Sequence, residues 1–206
     1  SGLRKQKEIE KVFPILTVMS RLEPTPGYKG LDDFYPLIIE ILKNNTWKVR
    51  EMAARSLPSL IFDSEHFFAT IEILLSEIFP GNNDFNKMHG CLLAVKETIL
   101  KFETLSTEES NKTYKKLLVE NNSTRQKILS KVNIVLGDHK CYPIKLAYFQ
   151  ILTVLDVNKS QDHQLQEILL EWFEVNSKVR SYDGAKHLTL KELTHILFPL
   201  LDDEAK

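Results

Sequence analysis

The chain is 206 residues long, with 43% apolar residues and 27 Lys and Arg against 28 Asp and Glu. That apolar share excludes a disordered segment, and the length suffices for one domain with a sizeable core or about five helical pairs. The even charge balance excludes a global basic field, so any nucleic-acid contact must come from a local patch.

In chain order, helical periodicity recurs and no alternating strand pattern is found. The first helix is predicted from about Lys5 to Leu22, ending before the Pro24-Thr25-Pro26-Gly27 loop. The second runs from about Asp32 to Lys43, with Asp32 and Asp33 favouring its positive end. Asn44-Asn45 reads as a helix stop and Thr46 as the cap of a third helix, Trp47 to Ile61, with Pro58 in its last turn. Ser64 is predicted to cap a helix to about Phe79, with Phe67, Ile71, Leu74, Leu75 and Ile78 as its apolar stripe. After a Pro80-Gly81-Asn82-Asn83 turn, the next helix runs from near Phe85 to about Phe102.

The second half continues in the same way. Thr107-Glu108-Glu109-Ser110 starts a helix that ends near Asn121-Asn122. Ser123 starts another, to about Leu136, closed by Gly137. Pro143 suits the first turn of a helix to about Val157. Ser160 starts a helix to about Val179, and Thr189 with Glu192 forms a capping box for a last helix to about Leu201. About ten helices joined by short loops, with a repeat near 40 residues, predict an all-α solenoid of HEAT/armadillo-like repeats over residues 1–206.

Cys91 and Cys141 lie in apolar helical contexts and read as buried thiols of a reducing compartment, so a cytoplasmic location is expected. Asn44, Asn111, Asn121 and Asn158 each begin an N-x-S/T triplet, read here as chance. No apolar run approaches the ~20 residues that span a bilayer, so no membrane partner is expected. The chain opens at Ser1-Gly2-Leu3-Arg4 with neither an initiator Met nor a targeting segment, and is expected to be a segment of a larger protein.

The most informative stretch is Trp47 to Leu57. Val49, Met52, Ala53, Ser56, Leu57 and Leu60 fall on one helical stripe, and the paired alanines let a neighbouring helix approach closely. Trp47, Lys48, Arg50, Glu51 and Arg55 then point to flanks or solvent. Glu51 and Arg55 make an i, i+4 pair. Arg50 has two readings: a structural arginine satisfied within the next repeat, or a guanidinium offered to a phosphate or partner carboxylate.

In the second stretch, Asn86 to Val95, the stripe is Met88, Cys91, Leu92, Val95 and Ile99. Gly90 inside a helix costs ~1 kcal/mol relative to Ala, so a close approach of another helix or a ligand is expected there. Asn86, Gly90 and Leu93 share a face with His89 beside it. These are either packing residues and side-chain caps to a neighbouring loop, or a binding surface.

Trp47-x-Val49-Arg50-Glu51-Met52-Ala53-Ala54-Arg55, followed by Asn86-x-x-His89-Gly90-x-Leu92-Leu93, resembles the thyroid-adenoma-associated protein family. The helix Phe13 to Leu22 also sits where that family has an apolar helix ending in Arg-Leu. The resemblance covers about residues 12–100. It implies a large helical-repeat protein whose fungal members are the non-catalytic subunit of a tRNA ribose 2′-O-methyltransferase. The implied partners are the methyltransferase catalytic subunit and tRNA, with the anticodon loop as target.

Lys112, Lys115, Lys116, Arg125, Lys127 and Lys131 form a basic stretch with Tyr114 interleaved. It is either a solvated helix face or a phosphate-contacting patch. The candidate RNA- or partner-binding residues are therefore Lys48, Arg50, Arg55, Asn86, His89, Lys112, Lys115 and Lys116. No P-loop, dinucleotide fingerprint or nucleophile elbow occurs, and no catalytic residue or cofactor is expected. His139-x-Cys141 is the one close His/Cys pair, with no second pair to complete a metal site. The rival reading is a HEAT-repeat scaffold for protein assembly without RNA.

Overall fold

A computed structural model of the chain describes residues 2–23, 30–31, 33–105, 107–118, 122–136, 142–155 and 169, with side chains from residue 11 onward. Helices α1 (Gly2–Met19), α2 (Phe34–Ile41), α3 (Trp47–Ser56), α4 (Ser64–Ser76) and α5 (Phe85–Thr104) come first. They are followed by α6 (Glu108–Leu117), α7 (Ser123–Leu129), α8 (Val132–Val135) and α9 (Tyr142–Val154). No strand occurs among the described residues, so the all-α helical-repeat architecture stands. The helices predicted from Ser160 and Thr189, and the sites at Cys141 and His139, lie outside the described residues.

Several boundaries differ from expectation, each for a local reason. The helix expected to reach Ile61 ends at Ser56, and Leu57–Leu60 tightens into a 3-10 turn. Pro58 has no N–H to donate, and its ring collides with the carbonyl four residues back. Asp63, not Ser64, caps α4, its carboxylate accepting from the His66 N–H at 2.7 Å. A carboxylate suits that position better, because it answers both the orphan donor and the positive helix end. Asp84, Thr107 and Asn122 cap α5, α6 and α7 in the same manner. Thr46 stands at the start of α3 with extended backbone, but its side chain makes no cap bond.

The single helix expected from Ser123 to Leu136 is broken at Ser130-Lys131 into α7 and α8. The buried Tyr148 hydroxyl lies 3.1 Å from the Ile128 carbonyl oxygen and 3.0 Å from that of Leu129. Those are the acceptors that the next helical turn would need. The Ser130 hydroxyl also donates to the Lys127 carbonyl at 2.9 Å, a bond that competes with the helical ladder.

One row of helices runs α1–α3–α5–α9, each packed on the next, while α4 packs against α5, α6 and α7. The core is continuous along this row. It includes Leu16 and Met19 of α1, Val49, Ala53 and Leu57 at α3, Leu92, Val95 and Ile99 of α5, and Ala147 and Ile151 of α9. Leu155 follows α9 and is buried too, whereas Met52, expected in the same core, is only partly covered. The α4 stripe of Phe67, Ile71, Leu74, Leu75 and Ile78 is buried throughout. Each such side chain contributes about 1.5–3 kcal/mol relative to exposure, which is why these marginal-length helices hold together.

Candidate functional site

The site is built at the turn between α2 and α3. Asn44 Oδ1 accepts from the Thr46 N–H at 2.8 Å, closing a small side-chain turn. One turn into α3, Arg50 reaches back beneath this turn and is only 6% exposed. Its Nη1 donates to the Asn44 carbonyl at 2.6 Å, the Asn45 carbonyl at 3.1 Å and Asn86 Oδ1 at 2.8 Å. Its Nε donates to His89 Nδ1 at 3.2 Å. Asn86 Nδ2 in turn donates to Asn45 Oδ1 at 3.1 Å. Asn86 and His89 lie three residues apart on α5, so they present one face to Arg50.

A ring nitrogen that accepts from a guanidinium must lack its own proton. His89 is therefore neutral, with its proton on Nε2. Burial is the main cause that pushes His89 down to about 4, and the Arg50 and Lys96 cations add to it. The arrangement positions; it offers no nucleophile and no general base. Cys91, on the same helix, is buried, and that burial pushes its thiol up to about 12, so it is not a nucleophile either. Among the described residues no group of three or more His, Cys, Asp or Glu could hold a metal ion, and no helix is long and apolar enough to cross a membrane.

The structure brings Arg50, Asn86 and His89 together, two of them buried. Of the two readings of Arg50 the structural one holds: its guanidinium turns away from solvent and bonds Asn86 and His89 of the next helical pair. The two loop carbonyls draw it inward, since each would otherwise lack a donor at the end of α2. Lys48 is exposed. Arg55 is exposed and bridges Glu51 at 2.7 Å, with Glu97 at 3.8 Å.

The basic stretch does not assemble as one patch. Lys112 and Lys115 are exposed on α6, whereas the Lys116 ammonium sits 5.1 Å from the centre of the Phe68 ring. Arg125 is only 2% exposed, which removes it from any surface. Lys127 bridges Glu72 at 2.8 Å, a hydrogen bond that holds the Glu72 carboxyl below its usual range. Lys131 donates to the Ile78 carbonyl at 2.7 Å, at the end of α4. Sequence spacing counted charges without knowing which of them the neighbouring helices would use.

One feature of the site is not legible in the Asn-Asn helix stop: the Asn44 and Asn45 carbonyls are the main acceptors for Arg50. Trp47, expected at a flank or in solvent, is 57% exposed.

The site and the helices around it fall within one stretch of recognisable sequence. Residues 1–98 match the family model described as Trm732, C-terminal TPR repeats. The match spans α1 to α4 and most of α5, and so holds the whole Arg50–Asn86–His89 cluster. It covers 98 of 206 residues, and the cations of α6 and α7 lie beyond it. The Trm732-like region is described by TPR repeats where the sequence predicts HEAT-like ones. Both are stacked helical pairs, and the observed row of helices fits either description. No solved structure matches the chain.

Proposed function

We propose that this chain is part of a non-catalytic subunit that partners a tRNA ribose 2′-O-methyltransferase acting on the anticodon loop. It stands with the fungal auxiliary subunits of the thyroid-adenoma-associated protein family and works in the cytoplasm as one solenoid segment of a longer protein. The observation that carries this reading is the match of residues 1–98 to the C-terminal repeats of Trm732. The site is a network of hydrogen bonds that fixes one helical pair on the next, a positioning arrangement of the kind this reading needs. Such a subunit raises rate by holding enzyme and tRNA in productive relation, which lowers the entropic part of the barrier.

The test is co-purification with a tRNA 2′-O-methyltransferase, followed by reconstitution of anticodon-loop methylation with and without this chain. Methylation that is independent of the chain would sink the proposal. The rival is a helical-repeat scaffold with no RNA involved. It is favoured by one observation, the burial or engagement of Arg50, Arg125, Lys127 and Lys131 by the protein itself. A complex that assembles with proteins but shows no tRNA dependence would select it.

A further inference from the structure

We propose that Trp47 is a stacking platform for an unpaired nucleobase, with Lys48 beside it to meet the adjoining phosphate. The proposal rests on the tRNA reading above and deepens it. Of the cations first expected to contact RNA at the α2–α3 turn, Arg50 is consumed by the turn itself. Trp47 and Lys48, at the head of α3, remain exposed there.

Trp47 is 57% exposed, more than Phe34 and Phe79, the other exposed phenyl or indole rings among the described residues. Its backbone is held from both sides. Asn44 Oδ1 binds the Thr46 N–H immediately before it, and Arg50 grips the two preceding carbonyls from within. An indole carried on a pre-ordered turn loses little entropy on binding, so the stacking energy is retained.

The surroundings decide the kind of partner. An aromatic anchor for a protein sits among further apolar groups that exclude water. Its neighbours in sequence, Asn45, Thr46 and Lys48, are instead polar or basic and exposed. The acids nearest in sequence are already engaged, Glu40 by Lys43 and Glu51 by Arg55. Lys48 makes no ion pair with any described residue. An exposed ring amid cations and amides fits a base and its phosphate, the combination that single-strand RNA binders use.

The chain has two tryptophans, Trp47 and Trp172, so a Trp172→Phe background leaves Trp47 as this chain's one indole, and the same titrations with Trp47→Phe subtract the partner's own emission. The probes are unfractionated tRNA, an RNA hairpin with an unpaired loop and a fully paired RNA duplex, each titrated against the chain with its methyltransferase partner. Expected are quenching by tRNA and hairpin but not by duplex, and binding weakened on the order of tenfold by Trp47→Ala with most of it kept in Trp47→Phe. Lys48→Ala should lower the slope of log affinity against log salt by about one. Gel shifts in the otherwise natural sequence give the same comparison without the Trp172 change. If tRNA binds but Trp47→Ala binds equally well and no quenching is seen, the platform is wrong while the tRNA reading stands. If the complex binds no tRNA, both fall. If the indole responds to the methyltransferase alone and then ignores RNA, Trp47 is a protein contact and the proposal is overturned.

Discussion

The carbonyl oxygen of Leu42 occupies the space in which a side chain on Gly90 would begin. A Cβ on Gly90 would lie 1.9 Å from that oxygen and 2.8 Å from the carbonyl carbon. The intruding atoms are backbone, at the end of α2, and cannot rotate away. The helical glycine is therefore explained by close approach of a neighbouring chain segment.

Gly90→Ala should consequently destabilise the protein, against the usual gain of replacing a helical glycine by alanine. The expected loss is more than about 3 kcal/mol, because α2 and α5 must part to admit one methyl group. A thermal melt of the variant checks this. An unchanged or raised midpoint would mean that α2 does not rest on α5 as described.

Arg50→Ala removes one guanidinium and strands two loop carbonyls, Asn86 Oδ1 and His89 Nδ1. The expected cost is about 1–3 kcal/mol, since bonds from a charged donor are lost and one buried and three part-buried acceptors remain. Arg50→Lys should recover only part, because an ammonium cannot span the same fork. Denaturant midpoints measure the loss, and methylation should fall merely in proportion to it. Full stability together with abolished methylation would mean that Arg50 reaches a partner after all.

His89 gives the network a pH dependence. Its neutral form is held in the folded chain down to about 4, against an ordinary value of 6.5. Between those values the unfolded chain binds a proton that the folded chain refuses, so stability falls as pH falls through this window. Above it both states are neutral, and below it both are charged. The slope due to this one residue is at most about 1.4 kcal/mol per pH unit. His89→Gln keeps an acceptor for Arg50 and should flatten the stability curve between pH 6.5 and 4 relative to the natural chain. Parallel curves for the two proteins would show that His89 is not the titrating group.

Leu92, fully buried at the centre of α5, tests the core directly. Leu92→Ala should cost about 2–5 kcal/mol, depending on how far α3 and α9 close over the space. Urea unfolding with an unchanged midpoint would place the apolar stripe on the wrong face.

How legible the molecule was in its sequence differs from element to element. The stripes of α3, α4 and α5 could be read because burial repeats with the helical period. Gly90 could be read because its cost demanded a neighbour. The break between α7 and α8 could not, because its cause, Tyr148, arrives from another helix. The same holds for Arg125, whereas the structural reading of Arg50 was open in the sequence. A charged side chain on a helix flank looks alike in sequence whether solvent or two carbonyls await it, and only packing distinguishes the cases. Asp63 displaced Ser64 as a cap by one residue, a distinction within the ordinary blur of helix ends.

In most helical-repeat proteins each unit touches only its neighbours, and stability propagates step by step along the stack. Within that pattern the 20-residue α5 is the shared neighbour, since α3, α4, α6 and α9 all pack on it and the 3-10 turn at Leu57–Leu60 does too. Partial unfolding that spares one end is therefore costly: none of these elements can peel away without stripping part of α5. The amide protons of α5 should be the slowest to exchange with deuterium, and their protection should track global unfolding, not any local opening. The described helices, built this way, behave as one cooperative block that opens all together and not unit by unit.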